Sequence, residues 1–539
     1  MSHNIRKLLK KRNIYANIFF IMARYKYTDN SQGQFLMVNL KEQIVLGSFE
    51  WTINYLIDKM DISLFEQNYH NDDRGAAAYS PRILLKIILY CYSKGILSSR
   101  KIEKACKENI IVKALAEDCE PDHDTIASFV SKNIESVKDL FTQVLLKCSE
   151  LQLISGEMFA IDGCKLPANV SKEWSGKISD LKKKKTDLEK LLARILQQHK
   201  ELDKNAMARE IQEPFKKTLG DDKERRERHV QRIEAKLEKI EQYLSVAEPK
   251  IGPSGQEIQG NITDRESARI KGPHGYIQGY NGIAVADAGN QVIIAAEAIG
   301  SGAESGCFGQ MLENLETNMC TLKKKKRPLK KSLVLGDTGY FSERNLQEAK
   351  ERKIEVLIPD PQFRKRDPVF DDRQKYKTTN VKKYFGIEDF KYDKKNDCYI
   401  CPAGKTLPYK CDITFKSRGT KGKQYRSKKS VCSICHLKEQ CINRKAGKEE
   451  FRALFIAEQL YEENLSAKMR VKIDNPAYRE LYSRRMQIIE PVFANMTFHK
   501  GMNRFTLRTQ KKVNTQWLLY CIVHNMWKCM KPLSQKYGR

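Results

Sequence analysis

Apolar and polar positions follow several different periods along this chain, and the changes of period divide it. From residue 30 to 150 the spacing is helical. Ser80-Pro-Arg-Ile-Leu-Leu-Lys-Ile-Ile-Leu-Tyr-Cys-Tyr has a polar cap, a proline in the first turn and then apolar residues at helical intervals, and Gly95 stops it. Further helices start at Ser98-Ser-Arg-Lys-Ile-Glu and Asp122-His-Asp-Thr-Ile-Ala-Ser-Phe. At Glu157-Met-Phe-Ala-Ile-Asp-Gly the pattern becomes a short strand ending in an acid. A polar, charge-dense stretch follows over 172–250. In it Leu181, Leu188, Ile195 and Leu202 recur every seven residues, while Val230, Ile233, Leu237, Ile240 and Leu244 alternate steps of three and four. With Gly220-Asp-Asp as the break between them, these runs predict an antiparallel helical hairpin, a solvated spacer inserted into a larger domain.

Strands resume at Gly275-Tyr-Ile-Gln-Gly-Tyr-Asn-Gly-Ile-Ala-Val-Ala-Asp and at Gln291-Val-Ile-Ile-Ala-Ala-Glu, with a Gly-Asn turn signal between them. A helix over Gly309–Asn318, a strand Ser332-Leu-Val-Leu-Gly-Asp, a helix capped by Ser342 and a strand Glu355-Val-Leu-Ile-Pro come next. Residues 361–454 are polar, lysine-rich and cysteine-bearing, and 455–530 return to helix. Three antiparallel strands followed by parallel additions, with helices on the faces, is the element order of an RNase H-like fold. The predicted class is therefore α/β with a mixed sheet. In such a sheet the first and fourth strands are neighbours.

Charge narrows the partners. Lys and Arg number 97 against 67 Asp and Glu, a formal +30, and the pI is near 9.4. An excess of this size favours polyanions, with nucleic acid the default and a ribosome-associated or merely basic protein the bland alternative. No apolar run reaches the roughly 20 residues of a membrane span. The best candidate, Ile18-Phe-Phe-Ile-Met, is flanked by Arg24 and Lys26 without a cleavage-site pattern, so neither a signal peptide nor a membrane association is expected. Met22-Ala-Arg-Tyr offers a second start, which makes residues 1–21 a leader outside the fold. Fifteen cysteines, an odd number with nine scattered singly, argue for a reducing compartment rather than a disulfide framework.

Chemistry on a nucleic-acid phosphodiester needs little covalent help from a protein. Two metal ions ~4 Å apart can stabilise both the attacking and the leaving oxygen. Magnesium takes hard oxygen ligands and keeps several waters, so a few carboxylates at neighbouring strand ends suffice. Asp162 ends the first predicted strand and Asp337 the fourth. Either alone reads as a turn former before glycine; the pair, on adjacent strands, reads as a metal site.

Asp162-Gly-x-Lys, Gly279-Tyr-Asn, Gly336-Asp-Thr-Gly-Tyr and Arg485-x4-Glu490-Pro-Val-Phe resemble the signature blocks of DDE transposases of the insertion-sequence-four-like class. Lys500-Gly-Met-Asn-Arg-Phe and Trp517-Leu-Leu-x-Cys-x-Val-His-Asn resemble their C-terminal block. Tyr79-Ser-Pro, Ser99-Arg-Lys-Ile-Glu and Pro121-Asp-His-Asp-Thr-Ile resemble their helical leader domain. The likeness spans roughly residues 35 to 530 and implies Asp162, Asp337 and Glu490 as the triad that binds Mg2+ (or Mn2+). It also implies DNA contacts at Arg485, Lys500 and Arg504. Tyr482 and Arg485 keep the family's spacing, whereas Glu490 lies five residues after Arg485 and Thr497 stands where the family has lysine. Lys500 or His499 is the candidate to take over that lysine's contact.

Six cysteines crowd into 398–441. Cys398-x2-Cys401 and Cys432-x2-Cys435, followed by Cys441, have the spacing of thiolates around a structural Zn2+. Cys401, Cys432 and Cys435 belong to any such set. Ribbon geometry makes Cys398 the fourth ligand, and the pattern of similar transposases makes it Cys441. The expected organisation is a helical DNA-binding domain at 22–150, an RNase H-like catalytic core at 151–171, 256–360 and 455–531, a hairpin insertion at 172–255 and a zinc-binding insertion at 361–454. The function implied is cleavage of double-stranded DNA at element ends and strand transfer to a target, by a homodimer in the bacterial cytoplasm and nucleoid. A non-catalytic zinc-containing DNA-binding protein, a decayed transposase, is the alternative.

Overall fold

Phe159, Ala160 and Ile161 have no exposed surface, and the central sheet is built around them. The computed structural model describes residues 37–69, 77–207, 213–251, 257–272, 275–302, 304–325, 327–370, 372, 384–415, 420–442, 451–457 and 464–538. The expected leader at 1–21 lies outside them. Seven helices come first: α1 (Phe49–Lys59), α2 (Ser63–Glu66), α3 (Pro81–Ser93), α4 (Ser99–Glu108), α5 (Ile110–Leu115), α6 (His123–Lys132) and α7 (Ile134–Glu150). Their starts follow capping chemistry: the Asp122 carboxylate accepts from the Thr125 amide at 2.7 Å. Every residue of α3 except Arg82 is buried. The helix ends as expected at Gly95, whose φ of +72° suits glycine.

Strand β1 (Met158–Pro167) follows. A two-stranded ribbon, β2 (Ser175–Gly176) with β3 (Gly260–Asn261), brackets the helices α8 (Ile178–Met207) and α9 (Glu213–Val246). These form the expected hairpin, with Leu181, Ile233, Leu237 and Ile240 buried and Lys185 paired to Glu241 at 2.9 Å. The break is not at Gly220-Asp-Asp: α9 runs straight through that tripeptide, and the interval between the helices is 208–212, outside the described residues. A single glycine costs a long helix only about 1 kcal/mol.

Then come β4 (Ala268–Gly272), β5 (Gly275–Asp287), β6 (Ile293–Ile299), α10 (Phe308–Lys323), β7 (Leu333–Gly336), α11 (Glu343–Glu351) and β8 (Glu355–Leu357). The sheet order is β4-β5-β1-β7-β8, with β6 also on β5. β1 runs antiparallel to β5, Asp162 opposite Ala284, and parallel to β7, Ile161 opposite Gly336. The two strands carrying the predicted aspartates are neighbours in this mixed sheet. β4, which the apolar pattern did not reveal, lengthens the antiparallel arm.

After α12 (Phe363–Arg366) the cysteine-rich segment forms its own antiparallel sheet: β9 (Lys391–Asp393), β10 (Cys398–Ile400), β11 (Thr406–Phe415), β12 (Thr420–Arg426) and β13 (Ala453–Ala457), in the order β13-β12-β11-β10-β9. Short helices α13 (Lys429–Ser433) and α14 (Lys438–Cys441) lie between β12 and β13. The insertion thus reaches Ala457, three residues past the expected boundary. The chain ends in α15 (Leu465–Asp474), α16 (Pro476–Ala494), one π-helical turn (Asn495–His499) and α17 (Gln510–Tyr537).

α17 organises the main core. The Trp517 ring lies over Gly282, where a Cβ would come within 2.8 Å of it, and its Nε1 donates to the Ile283 carbonyl at 2.9 Å. Asn514 and Asn525 on α17, with Asn318 on α10, satisfy β6 backbone at Ala298, Ile293 and Ile294. Amide side chains thereby close a sheet edge that would otherwise invite pairing. On its other side α17 carries Trp527 against Phe49 of α1, and Cys529 with its sulfur 3.5 Å from Cys148 of α7. One continuous hydrophobic core runs through the N-terminal helices, the sheet and α17. The described helices between Phe49 and Glu150 are therefore packed into the central unit rather than standing apart. Among the described residues no helix is long and apolar enough to cross a membrane.

Candidate functional site

The register of β1 on β7 sets Asp162 beside the end of β7, where Asp337 begins a short turn and its Oδ1 accepts from the Gly339 amide at 2.8 Å. A third acid joins them. Glu304 follows β6, and carboxylate oxygens of Asp162, Glu304 and Asp337 lie within 4.8 Å of one another. Asn281 on β5 orients Glu304 by donating from Nδ2 at 2.9 Å. Asn281 leans across β1 at Gly163, where a Cβ would meet its amide at 2.6 Å, so a larger residue there would displace the Asn281 side chain.

Crowding perturbs these acids. Burial, and then the charge of Asp162, raises the Asp337 carboxyl above its ordinary range. Burial, and then Asp337 and Asp162, raises Glu304 likewise. One cation meets the cluster directly: Arg485 of α16 donates from Nη1 to Asp162 Oδ2 at 2.8 Å. The Lys165 ammonium is 4.0 Å from Glu304. Three carboxylates therefore face two cations, one at arm's length. Asn281 Oδ1, the Tyr340 hydroxyl and Arg485 Nε are buried with no hydrogen-bond partner in the protein. Tyr340 is close enough that Glu304, Asp162 and Asp337 all act on its phenol, which burial already holds well above the usual range. Surplus negative charge among orphaned polar atoms fits a hydrated, hard divalent cation. A cavity of about 550 Å³ opens alongside, walled by Thr338, Phe363, Arg479, Tyr482, Arg485 and Met486.

Asp162 and Asp337 come together; Glu490 is outside their group. It is exposed on α16, five residues and so roughly 140° around the helix from Arg485. Its neighbours Ile488, Ile489 and Val492 face the core. Pro491 has no amide to offer the Gln487 carbonyl, which accepts instead from Gln291 Nε2 at 2.9 Å. The three expected DNA contacts separate. Arg485 is buried on Asp162, and Arg504 is exposed. Lys500 corrects the expectation made for it: it is 5% exposed, with its ammonium 3.4 Å from the Trp527 ring centre and 5.7 Å from that of Phe49. Its charge is directed at aromatic faces, not at solvent. Neighbouring Lys94 and Lys528 add to burial in pulling it down to about 8. Reading the sequence missed Glu304 because it sits in a glycine- and serine-rich loop. Asn281 was in view, inside the Gly279-Tyr-Asn block.

In the cysteine-rich segment, Cys401, Cys432, Cys435 and Cys441 line one small cavity of about 30 Å³. Cys401 lies in the β10–β11 turn, its sulfur accepting from the Lys405 amide at 3.3 Å. Cys398 is not in that lining; it is buried in β10, paired in register with Asp393 and Pro408. Of the two candidates for a fourth ligand, Cys441 is the one that faces the other three.

Two protein families match the chain. The family described as Transposase domain (DUF772) matches residues 38–132, the first helices. The family described as Transposase DDE domain matches residues 400–530, from Cys401 through Arg485 and Glu490 to most of α17. Neither span includes Asp162, Glu304 or Asp337. No curated protein matches the chain. Over these two spans, its first helices and its C-terminal part, the chain is similar to transposases, the second of the DDE kind.

Proposed function

We propose that this protein is the transposase of a bacterial insertion sequence, of the insertion-sequence-four-like class, with an RNase H-like catalytic core. It acts as a homodimer that binds the ends of its element, cuts phosphodiester bonds and joins the ends to target DNA. The observation that carries this reading is the meeting of Asp162, Glu304 and Asp337 within 4.8 Å, the first midway along β1, the second in the loop after β6 and the third just past β7. Magnesium or manganese bound there would supply charge stabilisation to the attacking and leaving oxygens of an in-line displacement. Asp162 and Asp337 are the ligands common to the geometry and to the resemblance. Glu304 has the third place by proximity, and Glu490 by resemblance. Arg485 neutralises one carboxylate and fixes the orientation of Asp162, while Asn281 does the latter for Glu304. Cys401, Cys432, Cys435 and Cys441 form a thiol set suited to one structural zinc ion.

The test is nicking of a labelled element end, with and without magnesium, beside a binding titration of the same DNA. Asp162→Asn keeps the shape and removes the charge that holds the metal. Cleavage should fall by roughly 10³-fold or more while affinity survives. Wild-type cleavage by this variant would make Asp162 a turn former and end the proposal. Glu304→Gln and Glu490→Gln, assayed in parallel, assign the third ligand to whichever loss matches that of Asp162→Asn.

A further inference from the structure

The segment from Asn503 to Lys512 has no regular structure until α17 begins at Gln510, yet it is held at every step. The Phe505 amide donates to the Pro167 carbonyl at 2.9 Å, and Asn169 Nδ2 donates to the Thr506 carbonyl at 2.8 Å. Arg508 Nε donates to the Asn169 carbonyl at 3.0 Å. From α17, Gln516 accepts from the Thr506 amide at 2.9 Å, and the Tyr520 hydroxyl donates to the Arg504 carbonyl at 2.8 Å. Thr509 is held at φ +71°, a region β-branched residues avoid and keep only when the surroundings over-determine it.

What this rigid segment shows to solvent is basic. Arg504, Arg508, Lys511 and Lys512 are all exposed, and among the described residues no ion pair engages them. The Glu266 carboxylate beside them is taken by the Gln510 amide. Lys511 and Lys512 sit in the first turn of a 28-residue helix, where the dipole disfavours cations, so their charge does nothing for the helix.

Position supplies the rest. The segment is fastened to the end of β1, the strand that carries Asp162. Five residues of strand separate Asp162 from Pro167, roughly 17 Å.

We propose that residues 503–512 form a preset cradle for the phosphates of duplex DNA, fastened to the end of the strand that carries Asp162. The proposal rests on the reading of the protein as a DNA-cutting transposase and names the surface that registers the substrate on its acids.

The experiment is a titration of wild-type protein and an Arg504→Ala/Lys511→Ala/Lys512→Ala variant with element-end duplex over a series of salt concentrations. Arg508 is spared because its guanidinium holds the Asn169 carbonyl. Losing three phosphate contacts should reduce the slope of log K against log salt by roughly 2.7. Affinity should weaken about equally on unrelated duplexes. An Arg504→Lys/Lys511→Arg/Lys512→Arg variant should keep the wild-type slope, which separates lost charge from lost fold. Phosphate ethylation should interfere with wild-type binding at positions where it does not interfere with binding by the alanine variant. An unchanged slope, or the same interference pattern for both proteins, overturns the cradle while leaving the cleavage reading intact. Wild-type protein that grips DNA with the expected slope but never cuts it overturns the cleavage reading instead.

Discussion

The acid cluster and the cysteine cluster bring ligands together by opposite means. Asp162 and Asp337 project from strands whose preceding residues, Ala160, Ile161, Val334 and Leu335, have no exposed surface. Their placement follows from sheet register inside a core that extends into the N-terminal helices and α17. Burial and sheet register hold those acids near one another despite their repulsion, helped by Arg485 on Asp162 and Asn281 on Glu304. In the cysteine-rich insertion the buried hydrophobic cluster has four members, Phe390, Leu407, Tyr425 and Leu454. Of the cysteines lining its cavity, Cys401 lies in a turn, Cys432 and Cys441 on two short helices and Cys435 between them, and twelve Lys and Arg against six Asp and Glu in the described residues of 384–457 add repulsion. Too small a core cannot order a charged segment unaided. One cluster is placed by its fold, whereas the zinc proposed for the other would help to order its fold.

Removing zinc should break the symmetry most visibly. Structural zinc sites contribute on the order of 10 kcal/mol to folding. Chelation, or Cys401→Ser, Cys432→Ser or Cys435→Ser, should release one zinc ion and open residues 384–457 to proteolysis, leaving the central unit's melting transition in place. Cys398→Ser should keep the metal, since that side chain lies outside the shared cavity. Protein purified without chelator that carries no zinc would refute the assignment.

A smaller effect tests the packing half of the contrast. Phe159→Ala empties a fully buried position in β1 and should cost about 3–5 kcal/mol of the main transition. Leu407→Ala, equally buried, removes apolar volume from a cluster that the main core does not share. It should loosen only the insertion, as hydrogen exchange resolved by segment would report. If Leu407→Ala lowers the main transition as far as Phe159→Ala does, the two regions are one cooperative unit.

The same contrast explains what could be read from sequence. Strands β1, β5 and β7 were legible because each contains a buried apolar run; Asp337 does follow the end of β7, but Asp162, expected to end β1, lies midway along it, because pairing with β5 continues through the polar residues to Pro167. The insertion's five strands were not: Lys421, Lys423 and Arg426 on β12 are exposed, and such strands carry little apolar signal. Its cysteine spacing was legible because it is local, whereas the cavity lining that includes Cys441 and leaves out Cys398 is a tertiary relation. Glu304 reaches the aspartates through an edge strand's closing loop, a tertiary relation with no sequence period. Lys500 was misread because burial against Trp527 depends on α17 packing beside the turn that carries it.

The smallest expected effect lies in the acids themselves and follows from the direction of their shifts. Asp337 and Glu304 are raised above their unfolded values, by burial first and by neighbouring carboxylates next. Their protonated forms are favoured in the folded chain. They therefore contribute stability that is fully present below the unfolded carboxyl pKa and is lost as pH rises through the raised folded values. A divalent cation needs the ionised forms, so it competes with protons in that window and relieves the repulsion above it. Stabilisation by magnesium should be negligible at the acid end, grow as pH climbs through the raised carboxyl range, and level off beyond it. At a hundredfold excess over the dissociation constant, mass action yields about 2.7 kcal/mol, a shift of several degrees in a domain of this size. Asp337→Asn removes one titrating group and one ligand together, and should both shrink and flatten the response. Melting curves with and without magnesium across the pH range provide the measurement. A magnesium shift of equal size at every pH, unchanged in Asp337→Asn, would mean that the ion binds elsewhere and that these acids are held together by packing alone.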